Sequence, residues 1–234
     1  MKKTDETFPP APFAGFDAAA FSFFRALSDN QDKAWFSAHK PDFERYVCAP
    51  MLSLVADVSK QLAKAKLPLV GDPQKALFRI NRDVRFSKDK QPYKTHAGAV
   101  LSRDGRKAAP GLLYIHFEPQ RSFVAAGFFR VEPPVLQKLR QGLIRNPSGW
   151  SKVERALAKA GLALSVDEPL VRLPKGFENA HASIAEQLKL KSWIVRRELP
   201  KARLTGPALV DDVVAFATDA MPALEFGWTA LDAA

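Results

Sequence analysis

The chain has 234 residues, of which 47% are hydrophobic, so it can bury a substantial core and is not disordered as a whole. A formal net charge of +10 and a pI near 9.8 favour an anionic partner such as phosphates, nucleic acid or acidic lipid. The single cysteine, Cys48, excludes an internal disulfide, and the absence of an uninterrupted run of ~18 apolar residues predicts a cytoplasmic protein with no membrane partner.

The first part of the chain predicts a layer of helices. Residues 1–15 carry three prolines and no periodicity, which predicts a flexible leader. Asp17 is placed to cap a first helix, which is expected to end at Asn30. Pro41 is expected to be the first residue of a third helix, and Pro50 is expected to kink or restart it because proline has no amide for the helical ladder.

The middle of the chain changes to short alternating runs that are typical of an antiparallel sheet. A meander of three strands is predicted over about 97–130, and two more short strands are predicted over about 162–173. A last strand is predicted over 193–199. The sequence therefore predicts an α+β fold, with a central antiparallel sheet packed against N-terminal and C-terminal helices, in a single domain that spans residues 16–231.

Two helices are predicted between the meander and the later strands. The first begins at Glu132 and carries a stripe of leucines, and Arg140 falls within that stripe. The second is expected to be capped by Ser148. A final helix is predicted from Pro207 to about Ala220.

The middle strand of the meander has two different faces. Alternate apolar residues share one face, and the other face carries Tyr114, His116 and Glu118, which are expected to meet a cleft, a helix or solvent. His116 is a candidate general acid or base because histidine titrates near neutral pH. A histidine that is simply hydrogen-bonded beneath a helix is the more common case.

The segment from 78 to 96 has the most distinctive composition, with six lysines and arginines, two acidic residues, one proline and three aromatic residues, Phe78, Phe86 and Tyr93. If it is a strand, Arg82 lies with the apolar residues, and Arg79 and Arg85 lie on the opposite face. If it is a helical turn, Arg79 and Asp83 form an i, i+4 pair. Under either interpretation, Asp83 alone cannot neutralise three arginines.

Arginine forks, a lysine and a threonine hydroxyl are the groups that bind phosphate or carboxylate through directional hydrogen bonds. We therefore expect a pocket for an anionic small molecule, in which Asp83 or His116 are the candidates for moving protons. The expected ligand-binding residues are Arg79, Arg82, Arg85, Lys94, Thr95, His96, Tyr114 and Arg140.

Two alternatives to the pocket stay open. In one, the basic segment and the second basic stretch at 189–203, which includes Trp193, form an open face for nucleic acid. In the other, the arginines form a purely structural network of salt bridges. The four histidines are dispersed without metal-binding spacing, so no metal site is predicted, and the absence of phosphate-loop and dinucleotide motifs predicts no cofactor.

The basic segment also resembles a known family. The pieces RDVRF (82–86) and PYKT (92–95) are similar to the signature of the uncharacterised DUF2461 family, and the similarity continues through LLYIHFEP (112–119) and RLPKGFENAH (172–181). It spans roughly residues 15–231. The resemblance implies an α+β domain and implies no established activity.

Overall fold

A computed structural model describes residues 11–85 and 90–233. Most of the predicted leader and four residues of the basic segment, Phe86, Ser87, Lys88 and Asp89, lie outside the described residues. The last part of the predicted leader is packed on the domain: Phe13 is 4% exposed, and its amide donates a hydrogen bond of 2.8 Å to the Asp57 carboxylate. Phe13 therefore contributes to the core of the domain.

Helices precede, separate and follow the strands. The N-terminal layer contains α1 (Ala18–Asp29), α2 (Lys33–Asp42), a π-helical turn (Phe43–Cys48), α3 (Ala49–Lys64) and the short α4 (Pro73–Ala76). The later helical elements are α5 (Pro133–Arg145), α6 (Pro147–Lys159), a 3-10 turn (Ala182–Ile184), α7 (Ala185–Lys189), α8 (Lys201–Leu204) and α9 (Leu209–Asp232).

The limits of α1 are those predicted from its capping residues. The Asp17 carboxylate accepts a hydrogen bond of 2.7 Å from the amide of Ala19, and Asn30 ends the helix. The predicted helix start at Pro41 is wrong, because Pro41 lies inside α2. The helical chain continues through the π-helical turn, in which Ala49 donates to the carbonyl of Glu44, and this wider turn precedes Pro50, which has no amide to donate.

Two further helix limits differ from the prediction. The cap of α6 is Asn146 rather than Ser148, because the Asn146 side chain accepts from the amide of Gly149 at 2.9 Å and Pro147 occupies the first helical position. The last helix continues past Ala220 and Pro222 to Asp232, since its apolar surface packs on α3, α5, α6 and β3. Within the parts of the chain that the structure describes, no helix has both the length and the apolar character needed to cross a membrane.

The sheet has four antiparallel strands in the order β1-β2-β3-β4, which confirms the predicted α+β fold. The meander comprises β1 (Ala97–Ser102), β2 (Leu112–Phe117) and β3 (Phe123–Phe128), and the last strand is β4 (Trp193–Glu198). The two strands predicted within 162–173 do not form. That stretch meets the sheet through one hydrogen bond, from the Ser165 amide to the Ile194 carbonyl, and leaves Val171 93% exposed.

One face of the sheet forms the core. Leu113, Ile115 and Phe117 of β2 are at most 1% exposed, and helices α3 and α9 pack over this side of the sheet. The ring of Phe117 stacks on Phe16 at 3.8 Å. Full burial of a side chain of this kind contributes about 1.5–3 kcal/mol, so this face supplies a large part of the stability.

The chain before β1 covers the outer edge of that strand. Val70 and Ser102 exchange two backbone hydrogen bonds of 2.8 and 3.0 Å, and the Phe78 amide donates to the carbonyl of Gly98 at 2.9 Å. This arrangement protects an edge strand that would otherwise expose unpaired backbone groups. It also leads the basic segment to the face of the sheet that is opposite the core.

Candidate functional site

Two short extended stretches of the basic segment, residues 80–82 and 92–94, are joined by backbone hydrogen bonds. The Arg82 amide donates to the Pro92 carbonyl at 2.8 Å, and the Lys94 amide donates to the Ile80 carbonyl at 2.9 Å. Tyr93 is 5% exposed and stacks on Phe36 of α2 at 4.4 Å. Over residues 78–85 the chain forms neither of the predicted elements, strand or helical turn, but isolated bridges. The segment therefore fastens the helical layer to the sheet.

The three arginines of the segment have different surroundings. Arg79 and Arg85 are exposed and Arg82 is half-buried. The Arg85 guanidinium pairs with the Asp83 carboxylate at 2.7 Å, and this contact, with smaller contributions from the Arg85 amide and the Arg79 charge, lowers the pKa of Asp83. Asp83 is consequently ionised at neutral pH and is poorly suited to donate a proton.

A cavity of about 500 Å³ lies between the π-helical turn, the first residues of the basic segment and the start of β1. Its apolar wall comes mainly from the helical turn and from the chain just before the arginines. Among the described residues, the lining consists of Phe43, Val47, Cys48, Leu77, Phe78, Arg79, Ile80, His96, Ala97, Gly98 and Lys107.

Two cations, Arg79 and Lys107, line this cavity, and Lys94 lies beside its lining residue Phe78. The Lys94 ammonium donates to the Arg79 carbonyl at 2.9 Å, and the Lys107 ammonium donates to the Leu77 carbonyl. Both ammonium groups lie over the ring of Phe78, at 5.7 and 5.2 Å from its centroid. No carboxylate among the described residues forms an ion pair with Arg79, Lys94 or Lys107.

The pKa of Lys94 reflects this surplus of positive charge. Burial is the first cause that lowers it, and the charges of Arg79, Arg82 and Lys107 lower it further. Three neighbouring cations therefore act electrostatically on Lys94, and an anion bound beside Lys94 would offset their effect.

Next to the cavity, the face of the sheet opposite the core carries a group of polar and aromatic side chains. His116 is 8% exposed; its Nδ1 lies 3.0 Å from the Tyr114 hydroxyl, and its Nε2 lies 3.5 Å from a Glu118 carboxylate oxygen. The rings of His96 and Phe123 lie against His116 at centroid distances of 4.3 and 4.5 Å. His96 belongs both to this group and to the cavity lining.

Burial sets the protonation states of this group. It lowers the pKa of His96 to about 4, with a further contribution from the neighbouring His116, and it lowers the pKa of His116 to about 4. Burial also raises the pKa of the Tyr114 hydroxyl to about 12, and it raises the pKa of Glu118. At neutral pH both imidazoles are neutral and Tyr114 keeps its proton.

The remaining predicted site residues lie elsewhere. Arg140 is 8% exposed on α5, where its guanidinium donates to the carbonyls of Leu188 and Leu190 at 2.9 and 3.3 Å, and it is not part of the cavity lining. Thr95 is half-buried in the bend before β1. The structure thus brings together Arg79, Arg82, Lys94, His96, Tyr114 and His116, and it leaves Arg85, Asp83 and Arg140 outside that group.

Two features of the site were missed in the sequence. Lys107 comes from the β1–β2 hairpin, so only the tertiary fold brings it to the cavity. The proximity of His96 and Glu118 follows from the register of β1 and β2, in which Ala97 is opposite Phe117; one more residue in each direction sets His96 opposite Glu118. The alternation in β2 was visible in the sequence, but the register was not.

A second, wider surface depression of about 600 Å³ lies over the irregular stretch before α7. Its lining includes three cations, Arg172, Lys175 and Lys189, but also the carboxylate of Glu178. Lys189 pairs with Glu186 at 2.7 Å. The positive charge of this depression is therefore partly neutralised by its own neighbours, unlike that of the first cavity.

The second basic stretch is largely ion-paired. Arg196 lies 3.7 Å from Glu198, Arg197 lies 2.9 Å from Asp219, and Arg203 pairs with Asp212. Trp193, the aromatic residue within the stretch, is 2% exposed. In this conformation its indole ring cannot stack on a nucleic-acid base.

Cys48 lines the cavity, and its thiol is expected to react slowly. Burial, with a smaller effect of Glu44, raises its pKa from 9.0 to about 11, so the reactive thiolate is about 100-fold scarcer at pH 8 than for an ordinary thiol. We expect iodoacetamide to alkylate the folded protein about 100-fold more slowly than the urea-unfolded protein, as measured by mass spectrometry. Equal rates would mean that the thiol is accessible and ionises normally.

Comparison with known proteins identifies the family of the chain. The model of the family described as "Conserved hypothetical protein (DUF2461)" matches residues 19–226, a range that includes the sheet, the cavity and the polar group beside it. No curated protein and no solved structure matches the chain. The matched range covers most of the sequence, and the chain therefore belongs to the DUF2461 family of conserved hypothetical proteins.

Proposed function

We propose that the protein binds an anionic small molecule in the cavity bordered by Arg79, Lys94 and Lys107. The observation that carries this proposal is that Arg79 and Lys107 line one cavity, that Lys94 lies over the ring of the lining residue Phe78, and that none of these three cations pairs with a described carboxylate. A phosphate or carboxylate group would accept hydrogen bonds from the Arg79 guanidinium and the two ammonium groups.

The shape and lining of the cavity define the kind of ligand. A volume of about 500 Å³ is in the range of small-molecule pockets. Phe43, Val47 and Ile80 contribute apolar lining, and Arg79 and Lys107 contribute cationic lining. A ligand with one anionic group and a compact apolar or partly polar body would satisfy both parts of the lining.

The arrangement favours binding over proton transfer by the residues first considered. Asp83 is exposed and paired with Arg85, and His116 lies beneath the ring of its neighbour His96 rather than in the cavity lining. The proposal is therefore limited to recognition of the anion. Nucleic-acid binding is less favoured, because several cations of the stretch 189–203 already have carboxylate partners.

A thermal-shift screen tests the proposal. The probes are inorganic phosphate, sugar phosphates, short dicarboxylates and a single-stranded oligonucleotide. We expect at least one small anion to raise the melting temperature of the wild type and to bind to it in calorimetry. Arg79→Gln and Lys107→Gln should each weaken that binding by about 10- to 100-fold, because a hydrogen bond to a charged group contributes about 1.5–3 kcal/mol.

Arg155→Gln is the matched control, because it removes the same charge from an exposed position on α6 and should leave binding unchanged. Arg85→Gln should also retain binding, since Arg85 is exposed and paired with Asp83. If no small anion stabilises the wild type, or if Arg79→Gln responds as the wild type does, the pocket proposal fails. Stabilisation by the oligonucleotide alone, with a steep salt dependence, would favour the nucleic-acid alternative.

A further inference from the structure

Three potential metal-binding side chains converge beside the cavity. His96 immediately precedes β1, and His116 and Glu118 lie at the end of β2 with their side chains on the same face of the sheet. One ligand atom from each of the three residues lies within 4.8 Å of the others. Donor atoms around one transition-metal ion, each about 2.0–2.2 Å from it, are roughly 3–4 Å apart, so small side-chain rotations would close the site.

Hydrogen bonds orient the His116 ring and hold the backbone of Glu118 in place. The Tyr114 hydroxyl lies 3.0 Å from Nδ1 of His116, on the side of the ring away from Glu118, while Nε2 is directed toward the carboxylate. The Ser122 hydroxyl accepts from the Glu118 amide at 3.1 Å and donates to the Glu118 carbonyl at 2.9 Å. Hydrogen bonds to the second ring nitrogen of a histidine are a regular feature of metal sites.

We propose that His96, His116 and Glu118 bind one divalent transition-metal ion, and we take Zn²⁺ as the example. Two imidazole nitrogens and one carboxylate oxygen are a donor set that suits Zn²⁺ and other first-row divalent ions, and three protein ligands leave coordination positions for water or a ligand. The proposal replaces the expectation of no metal site. That expectation considered spacing along the chain, whereas the three residues meet through the pairing of two strands.

The charges around the site affect what the ion would bind. Glu118 supplies one negative charge, while Lys94 and Arg82 add positive charge near His96. An ion in this place would therefore leave a positive site. Because His96 also lines the cavity, an anion bound there would lie beside the ion and offset these charges. This last coupling rests on the proposed function, and the metal site itself does not.

Metal titration of the full chain tests the site. Protein stripped with EDTA is titrated with Zn²⁺ in competition with a chromophoric chelator, and with Co²⁺ in an absorption spectrometer, in a buffer without phosphate or carboxylates. We expect one ion per chain and a Co²⁺ visible spectrum typical of nitrogen and oxygen ligands. His116→Ala and Glu118→Gln should lower the affinity at least about 10-fold, and Tyr114→Phe should lower it about 10- to 100-fold with the stoichiometry unchanged.

His181→Ala and Glu178→Gln serve as matched controls, because they remove the same chemical groups from exposed positions and should bind metal as the wild type does. Arg79→Gln should bind metal as the wild type does, because Arg79 is not one of the proposed metal ligands. Loss of anion binding with retained metal binding would therefore separate the anion proposal from the metal proposal. Circular dichroism checks folding, and Glu118→Gln, a nearly isosteric change at a half-buried residue, remains informative if His116→Ala does not fold. The proposal is overturned if the wild type binds no stoichiometric ion or if Glu118→Gln binds it equally well.

Discussion

Replacing Gly127 with alanine is expected to lower the free energy of unfolding by about 3 kcal/mol or more. Gly127 lies in β3 opposite Ile194, with a backbone φ of +133°. A Cβ atom there would lie 2.0 Å from the Trp193 carbonyl oxygen, which is backbone and cannot rotate away. The positive φ costs an alanine about 1–2 kcal/mol, and overpacking adds typically about 1–3 kcal/mol. The measurement is urea unfolding followed by circular dichroism.

Gly161→Ala separates the two contributions to this loss. Gly161 follows α6 with a φ of +69°, but an added Cβ would have no neighbour within 4 Å. Its replacement should therefore cost only about 1 kcal/mol, the conformational part. If both variants lost the same stability, the contact with the Trp193 carbonyl would not be the decisive term, and the pairing of β3 with β4 would have to be more adaptable than the geometry implies.

The sequence predicted the parts of the fold that depend on local patterns. The meander consists of short β-like runs separated by turn signals, and Asp17 and Asn30 mark the limits of α1 by their own side-chain chemistry. The errors occurred where tertiary packing overrides a local signal. Pro41 and Pro222 lie inside helices that carry packed side chains, Trp35 and Phe36 in α2 and an apolar surface in α9. The apolar runs within 162–173 find no partner strand beyond one hydrogen bond to β4.

The candidate site was predictable to a smaller extent, because its residues come from separate elements. The density of arginines drew attention to a segment that contributes residues to the lining of the cavity. It did not show that Arg85 would pair with Asp83 or that Lys107 would arrive from a hairpin 22 residues beyond Arg85 in the chain. The grouping of His96 with Glu118 depends on strand register, which a single sequence does not specify until the turn between the strands is known.

Arg140→Met is expected to destabilise the protein by about 2 kcal/mol without changing the affinity for an anion. The Arg140 guanidinium is buried and donates to the carbonyls of two buried residues, Leu188 and Leu190. Methionine keeps much of the volume but removes both donors. Each buried carbonyl left without a partner costs about 1–3 kcal/mol, and the lower cost of burying a neutral side chain offsets part of the loss.

Urea unfolding and calorimetry with the best anion from the screen together decide the role of Arg140. Arg155→Met, at an exposed position of α6, should change stability by less than about 0.5 kcal/mol and provides the baseline for the substitution itself. A variant Arg140→Met that is as stable as the wild type but binds the anion more weakly would return Arg140 to the ligand site. Loss of stability with unchanged binding would instead assign Arg140 to the packing of α5 against the turn after α7. Burial lowers the pKa of this guanidinium, and among the described residues only backbone carbonyls offset the cost of that burial.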